Sequence, residues 1–342
     1  MKHQAAGSVI LAALEGSTIS EQEASLFKYG GSSGVTLFRR NLPNRFSEIK
    51  NLAASLQACR PVGDPPLLLA IDQEGGRVAR LGRPFPNLGP ALDLLEHSPA
   101  ALLADDKAKL QGDQDFLHNY GFVVASVLSS LGINVNFAPV CDTITRKENT
   151  AIGDRAFSDD PEAVASRAGA FLSGMTAAGV HGCLKHFPGQ GDAKHDTHAA
   201  ATSIELSLEE LEKREILPFA SLVKHCPMVM MSHAVFSALD DRPASLSDKW
   251  MLSYLRDKLG FDGVIVSDDM NMKALPQDDQ SWSEAIVEAV VNGADLILVC
   301  EHLEKSRLAI DALESAMSRS KAVATRVQDA SRRVLALRSS IR

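Results

Sequence analysis

Short apolar runs alternate with stretches of helical period along most of the chain. The runs are mostly near-continuous Val, Ile, Leu and Met bounded by Gly, Pro or Asp, as is typical of parallel strands buried on both faces. Eight runs are predicted as strands: Ser8–Leu14, Gly34–Phe38, Pro66–Ile71, Ile133–Phe137, Val180–Leu184, Met228–Met231, Gly263–Val266 and Ala294–Val299. The predicted helices between them include Phe116–Leu131, Pro161–Ala178, Leu208–His225, Asp248–Leu259 and Ser283–Asn292.

Eight alternations of strand and helix predict an α/β fold of the (β/α)8 TIM-barrel type. Glycines at predicted helix ends, namely Gly132, Gly179, Gly260 and Gly293, support these boundaries. We expect one domain over residues 1–342, with one or two helices from about residue 301 onward. A doubly wound open sheet is the alternative, but no GxGxxG motif follows the first predicted strand.

The composition is that of a soluble globular enzyme, with 45% hydrophobic and 23% charged residues. The net charge is -8 and both signs are scattered along the chain, so we expect no nucleic-acid partner. The apolar start of the chain resembles a short secretion signal, but cleavage there would remove the first predicted strand. No other apolar run approaches the ~20 residues that span a bilayer, so no membrane association is expected.

The five cysteines lie far apart and form no CxxC or CxxH pair. An odd number of cysteines in apolar surroundings predicts buried thiols in a reducing compartment, not a disulfide framework. No motif demands a cofactor, a metal or a protein partner, and we expect a monomer.

The active site of a TIM barrel is built from the C-terminal strand ends and the loops that follow them. Nearly every predicted strand delivers an ionisable group to that rim. These groups are Glu15, Arg39, Arg40, Asp72, Asp142, Lys185, His186, His233, Asp268, Asp269 and Glu301. Arg77, Arg80 and Arg155 lie in the same loops, and the whole set predicts a polar, convergent pocket.

Three segments concentrate the candidate chemistry. The stretch Asp72–Arg80 reads DQEGGRVAR, and Cys183–His198 is a Gly- and Pro-rich loop with three histidines and two aspartates. The third segment is the adjacent pair Asp268 and Asp269. A tight Gly-Gly turn with surface ion pairs would explain the first segment equally well, and one aspartate of the third could simply cap the next helix.

Asp196 and His198 form a candidate acid/base dyad. Residues two apart in an extended loop point to the same side, so the carboxylate can accept a hydrogen bond from the imidazole and favour its protonated form. Such a histidine can give and then take a proton near neutral pH. Asp268, kept ionised by Arg155 or Lys185, would be the nucleophile across the pocket.

The chain resembles glycoside hydrolase family 3, in particular its single-domain bacterial β-N-acetylhexosaminidases, over roughly its first 300 residues. The resembling segments, in order, are DQEGGRVARL, NFAPVCDT, IGDRAFSDDPE, KHFPGQGD with DTH behind it, MMSHAVF and GFDGVIVSDDM. The resemblance implies that Asp268 is the nucleophile, His198 the acid/base and Asp196 its partner. The residues that it implies for binding the terminal sugar are Asp72, Arg80, Arg155, Lys185 and His186.

The implied reaction is a two-step hydrolysis with retention, which removes terminal N-acetylglucosamine from cell-wall fragments in a bacterial cytoplasm. Many relatives take their acid/base glutamate from a second domain. Here about forty residues follow the last predicted strand, so we expect the barrel to supply the proton donor. Gln190 stands where the family usually has His, and Thr197 where Ser is usual. Gln190 cannot titrate, which puts proton handling at that position in doubt but leaves the dyad intact.

Other functions stay open at this point. The acetamido group of the sugar could itself attack, with Asp268 and Asp269 only orienting it. A β-glycosidase for another sugar, a glycoside phosphorylase and a catalytically silent sugar-binding protein are further possibilities. A metallohydrolase would draw its ligands from His186, Asp192, His195, Asp196 and His198.

Overall fold

The computed structural model describes residues 2–82, 84–85, 87–102, 105–146, 148–193 and 202–341. In this part of the chain, parallel strands occupy eight positions around a barrel. They are β1 (Ile10–Ala12), β2 (Gly34–Leu37), β3 (Leu68–Ile71), β4 (Val135–Asn136), β5 (His181–Gly182 continued by Leu184–Phe187), β6 (Met228–Met231), β7 (Val264–Asp269) and β8 (Leu296–Leu298). Neighbours pair in chain order, β8 pairs with β1, and the two segments of β5 pair with β4 and β6 respectively. The predicted (β/α)8 TIM barrel is confirmed.

Helices surround this barrel. The α-helices are α1 (Lys2–Gly7), α2 (Glu21–Lys28), α3 (Phe46–Ala58), α4 (Asp106–Ser130), α5 (Pro161–Ala177), α6 (Leu208–Lys213), α7 (Leu217–Leu222), α8 (Asp279–Val291), α9 (Leu303–Arg319) and α10 (Lys321–Ser339). A π-helix spans Lys249–Lys258, and a short hairpin pairs Gln73–Gly75 with Val78–Ala79. The four glycines predicted to end helices all have positive φ, as a helix stop requires.

The predicted helix Leu208–His225 is wrong as a continuous element. It is divided into α6, α7 and a 3-10 turn, with a break between Lys213 and Leu217. Pro218 explains the break, because proline lacks the N–H that a helix interior needs and is tolerated only in a first turn. α4 and α8 also begin earlier than predicted, because aspartates cap their first turns.

The predicted ends of β5 and β7 are also wrong, since both strands continue through polar residues. Across one interval each strand carries one residue more than the neighbour with which it pairs, which is a β-bulge. The pairs that bracket the bulges are Leu184 with Val229 and Phe187 with Met231 for β5, and Val266 with Leu296 and Asp269 with Leu298 for β7.

Both faces of the barrel strands are buried, as their apolar runs predict. Alternate side chains, such as Leu68 and Val264, fill the inside of the barrel, while their neighbours pack against the helices. The inner cluster also contains Val334 and Leu337 of α10. α10 therefore covers the N-terminal end of the barrel, opposite the strand ends that carry the candidate site.

Asp295 fastens α10 to this end of the barrel. Its buried carboxylate accepts the N–H of Ile265 through Oδ2 at 3.0 Å and the guanidinium of Arg326 through Oδ1 at 2.8 Å. Arg256 also pairs with Oδ2, and Arg333 lies 3.8 Å from Oδ1. One buried charge thus joins β7, the π-helix and the last helix.

The five cysteines have free thiols, and four of them are buried as predicted, while Cys59 is half-buried. Within the described ranges, no helix is both long and apolar enough to cross a membrane.

We expect Asp295→Asn to lower the free energy of unfolding by about 2–4 kcal/mol. Asparagine keeps the shape but removes the charge that compensates three guanidinium groups. Urea unfolding followed by circular dichroism measures the change. Asp311→Asn makes the same substitution at an exposed position of α9 and should change the free energy by less than about 0.5 kcal/mol. Equal unfolding midpoints for the two variants would contradict this role of Asp295.

Candidate active site

A cavity of about 370 Å³ lies at the C-terminal ends of the barrel strands. The five residues predicted to bind the sugar line it together with Asp268, the predicted nucleophile. The remaining lining residues are Thr36, Phe38, Glu74, Arg77, Val78, Phe137, Ala151, Met230, Asp269, Met272, Leu298 and Cys300. The structure thus brings six of the eight predicted site residues into one pocket.

The bulges explain how two strands each deliver two adjacent residues to this cavity. Adjacent side chains of a regular strand point to opposite faces. At the bulges this alternation is interrupted, and Lys185 with His186, and Asp268 with Asp269, all line the cavity. The peptide bond that joins Lys185 to His186 is cis.

Glu74 is the centre of a buried network of charges on one wall of the cavity. Its carboxylate accepts two hydrogen bonds from Arg155, both at 2.8 Å, and lies 2.6 Å from Nζ of Lys185. Lys185 also donates to Oδ1 of Asp72 at 2.8 Å, and Arg80 lies 3.1 Å from Oδ2 of Asp72. Two carboxylates and three cations therefore hold one another in place.

The members of this network keep one another ionised. Burial alone would raise the pKa of Asp72, but the charges of Lys185 and Arg80 outweigh it and lower that pKa. Arg155 and Lys185 overcome burial in the same way and hold the pKa of Glu74 well below its usual value. Burial would also lower the pKa of Lys185 and Arg155, yet the carboxylates raise both. The wall of the cavity is therefore charged at neutral pH.

Asp142 orients the imidazole ring of His186 through a contact with its Nδ1. Its Oδ2 lies 2.7 Å from Nδ1 of His186, and its carboxylate also accepts the main-chain N–H groups of His186 and Gln190. Nε2 of His186 lies 3.4 Å from Nη2 of Arg155, which is a donor. These partners assign the tautomer with the proton on Nδ1 and the lone pair on Nε2.

Asp268 and Asp269 have different surroundings although they are adjacent. Oδ1 of Asp268 accepts the main-chain N–H of Asp269 at 2.8 Å. Oδ1 of Asp269 accepts the N–H groups of Asn271 at 3.1 Å and of Cys300 at 3.2 Å. Burial, together with the charge of Asp268, raises the pKa of Asp269 to about 6. Asp269 therefore gains its charge between weakly acidic and neutral pH.

The predicted dyad of Asp196 and His198 lies outside the described residues, as does His195. The start of the same loop is described. Gln190 is buried, and its Oε1 accepts a hydrogen bond from Oγ of Ser232 at 3.0 Å. Gln190 thus joins the loop after β5 to the end of β6 and is no part of the cavity lining within the described ranges.

A second charge cluster includes Asp192, in the described start of this loop. Asp192 accepts hydrogen bonds from Arg146 and Arg214, and Arg214 also pairs with Glu215 at 3.0 Å. Burial raises the pKa of Glu215 to about 7. The loop that continues toward the predicted dyad therefore begins from a segment held by ion pairs.

Several of the ionisable groups predicted at the rim support the site from outside the cavity. Glu15 accepts the N–H of Leu303 at 2.9 Å. Arg40 donates to the main-chain oxygen of Cys300 at 2.7 Å. His233 lies with Nε2 3.0 Å from the main-chain oxygen of Asp269. These contacts connect the loops after neighbouring strands to one another.

Glu74 and Glu215 were not predicted individually as residues of the site or of its support. Asp72 and Glu74 are two apart in an extended segment, so strand periodicity could have placed both on one side of the chain. The position of Glu215 between two short helices carries no comparable signal, because its burial depends on contacts that are distant in sequence.

A (β/α)8 barrel with a carboxylate-lined cavity at its C-terminal strand ends has the architecture of the barrel enzymes. The chain belongs to glycoside hydrolase family 3, since residues 8–337 match the Glycosyl hydrolase family 3 N terminal domain. It is a glycoside hydrolase, and the resemblance stated from the sequence is confirmed.

Individual relatives agree with this assignment. A beta-hexosaminidase of Xylella fastidiosa is 37% identical over 317 residues, covering 92% of this chain and 90% of the relative. The beta-N-acetylhexosaminidase structure from Beutenbergia cavernae has a TM-score of 0.85 at 30% identity and covers 99% of this chain and 98% of that one. A family 3 beta-N-acetylglucosaminidase from Paenibacillus sp. has a TM-score of 0.87 at 31% identity, and this chain spans 62% of its length.

We expect Glu74→Gln to lower the free energy of unfolding by about 3–5 kcal/mol, because it leaves Lys185 and Arg155 buried with one counter-charge fewer. The pKa of Glu74 is lowered on folding, so its stabilising effect is present above its unfolded pKa of about 4.3 and is lost toward lower pH. Urea unfolding at several pH values should show the difference from wild type shrinking below about pH 4.

The matched control is Asp154→Asn, which breaks an exposed ion pair with Arg77 of 2.8 Å. This change should cost less than about 1 kcal/mol. If the buried and the exposed pair prove equally important for stability, Glu74 is not the centre of the network.

Proposed function

We propose that the protein is a retaining exo-β-N-acetylglucosaminidase that removes terminal β-linked N-acetylglucosamine from peptidoglycan-derived fragments in the cytoplasm. The observation that carries this proposal is the position of Asp268 in the same cavity as the charged network around Glu74. A cavity of about 370 Å³ is at the small end of the range for ligand sites, which suits one sugar. The printed names of the relatives support N-acetylglucosamine as that sugar.

The network is suited to bind the hydroxyl groups of the terminal sugar. Asp72 accepts hydrogen bonds from hydroxyls, while Arg80, Arg155 and Lys185 donate to them. Because each of these side chains is already held by an opposite charge, little conformational freedom is lost when the sugar binds. His186, oriented by Asp142, completes the set of five binding residues.

Asp268 is the nucleophile of the proposed reaction. In the first step its carboxylate attacks the anomeric carbon, and protonated His198 gives its proton to the leaving oxygen. In the second step neutral His198 takes a proton from water, which attacks the same carbon and releases Asp268. Each step inverts the anomeric configuration, so the product retains it.

The acid/base role of His198 and its partner Asp196 rests on the sequence and on family membership. The described beginning of their loop supports it indirectly. Asp192 and Gln190 are both held in place there, so the described part of the loop is fixed next to His186.

Substrate-assisted catalysis is the main alternative mechanism. It would use Asp268 and Asp269 to orient the acetamido group, but Oδ1 of Asp269 already accepts two main-chain N–H groups. A covalent adduct on Asp268, trapped with a fluorinated sugar, distinguishes the covalent route. Phosphate-stimulated turnover would instead indicate a phosphorylase, and full activity in chelator would exclude a metallohydrolase.

We expect wild-type protein to hydrolyse an aryl N-acetyl-β-glucosaminide much faster than an aryl β-glucoside. Asp268→Asn should lower kcat by at least about a thousandfold, because an amide is a poor nucleophile toward the anomeric carbon. Steady-state kinetics with both substrates provide the measurement. Asp311→Asn on the exposed face of α9 is the matched control and should keep the wild-type rate.

A wild-type protein that hydrolyses neither sugar would leave the silent sugar-binding protein as the better description. Preference for the glucoside would assign a β-glycosidase for another sugar. An Asp268→Asn variant that keeps its rate would remove Asp268 from the role of nucleophile.

We expect the loss of activity in His198→Ala to be greater for a substrate with a poorer leaving group, because His198 is the proposed proton donor. The loss should be roughly a hundredfold greater on a natural disaccharide than on the aryl glycoside, whose leaving group needs little protonation. Comparing kcat/KM on the two substrates measures this. Equal losses on both would assign His198 to substrate binding.

A further inference from the structure

Asp269 is anchored at the end of β7 by hydrogen bonds to its side chain and to its main-chain oxygen. Oδ1 of its side chain accepts the N–H groups of Asn271 at 3.1 Å and of Cys300 at 3.2 Å. Its main-chain oxygen lies 3.0 Å from Nε2 of His233, whose Nδ1 lies 2.6 Å from Oγ of Ser245. The end of β7 is thereby joined to the segments that follow β6 and β8.

This anchoring reaches Asp268 through the main chain. The N–H of Asp269 donates to Oδ1 of Asp268 at 2.8 Å, so the orientation of that peptide unit sets the rotation of the Asp268 carboxylate. Since Oδ1 of Asp269 accepts the main-chain N–H groups of Asn271 and Cys300, Oδ2 is the oxygen on which a proton interferes least with these two bonds. Protonation on Oδ2 therefore removes the charge beside Asp268 while Oδ1 still accepts these two N–H groups.

We propose that Asp269 is a positioning residue for Asp268 and that its negative charge accelerates the attack of Asp268 on the sugar. This inference rests on the proposed role of Asp268 as nucleophile. With both carboxylates ionised, two like charges lie side by side in a half-buried site. When Asp268 forms its bond to the anomeric carbon, its charge passes into that bond, the glycosidic electron pair leaves with the oxygen, and the repulsion is relieved.

The second step reverses this effect. Water forms a bond to the anomeric carbon, the bond to Asp268 breaks, and its electron pair returns to Asp268 as a negative charge. An ionised Asp269 opposes the return of that charge. Asp269 is therefore expected to speed formation of the glycosyl-enzyme and to slow its hydrolysis, which a purely structural residue would not do.

The groups around Asp269 allow its charge to change within an accessible pH range. Burial and the charge of Asp268 raise its pKa to about 6. The Cys300 thiol on the adjacent segment stays protonated, because burial and the charges of Asp269, Asp72 and Asp268 raise its pKa well above the usual value. Within the described residues, His233 lies at the main-chain oxygen of Asp269 and Arg40 at the main-chain oxygen of Cys300.

The test compares wild type with Asp269→Asn, which keeps the Oδ1 acceptor and is neutral at every pH. kcat/KM on an aryl N-acetyl-β-glucosaminide is measured between about pH 4.5 and 8. The ratio of wild type to Asp269→Asn should be near one at the acidic end and rise on the order of tenfold through about pH 6. The leaving group needs little protonation, so the titration of the acid/base largely cancels in this ratio.

Two further readouts separate positioning from charge. Asp269→Ala loses the Oδ1 acceptor and should lower kcat by about a hundredfold with little change in KM, while Asp269→Asn restores most of it. Enzyme trapped with a fluorinated sugar should reactivate faster as Asp269→Asn than as wild type above about pH 7. If Asp269→Ala does not fold, the pH-dependent ratio and the reactivation rates still decide the role of the charge, and an Asp269→Asn variant far less active than wild type at acidic pH would overturn the positioning role.

A ratio that stays flat across this pH range would overturn the role of the Asp269 charge. An Asp269→Asn variant as impaired as Asp269→Ala at acidic pH would overturn the positioning role. Asp268→Asn in the same assay separates these results from the proposed function. If Asp268→Asn is inactive while the ratio is flat, Asp268 remains the nucleophile and only the inference about Asp269 fails.

Discussion

The balance of charge around Glu74 is the interaction on which the active site depends. A buried carboxylate is stable only when cations and hydrogen bonds replace the water that it has lost. Glu74 obtains both from Arg155 and Lys185, and Lys185 in turn is shared with Asp72. Because these residues come from the segment after β3, the loop after β4 and β5, the same contacts that satisfy one buried charge also fix three parts of the cavity wall. The polar groups on this wall of the cavity are held rigidly for this reason.

The two ends of the barrel differ in what their buried charges surround. At the N-terminal end, Asp295 and the apolar side chains of α10 close the barrel, and the charges there serve to attach the last helix. At the C-terminal end, the charged network around Glu74 lines a cavity. This division is the general arrangement of TIM barrels, in which loops vary at one face while the other maintains the fold.

The barrel could be predicted from the sequence because its strands are nearly continuous apolar runs with regular spacing. The true ends of β5 and β7 could not be predicted from the sequence, since a polar residue after an apolar run ordinarily marks the end of a strand. Both strands continue through such residues, namely Lys185 and His186 in β5 and Asp268 and Asp269 in β7. Their continuation depends on pairing with β6 and β8, which is a property of the folded sheet. The convergence of the residues proposed to bind the sugar could be predicted, because strand ends meet at one face of a barrel. Their mutual pairing through Glu74 joins residues that are about eighty positions apart in the chain, and a local sequence pattern carries no information about such contacts.

The bulges of β5 and β7 raise the number of side chains that the barrel strands direct into the cavity. Eight strands have a fixed circumference, and regular alternation turns only every second residue toward the axis. Each bulge interrupts this alternation once and adds one inward-facing residue without adding a strand to the barrel. The two extra positions lie on either side of β6 and are occupied by polar groups. Deleting one residue from either bulge would restore the alternation and turn one of these polar groups toward the helices. The number of polar side chains that can face the cavity therefore depends on the number of residues in β5 and β7.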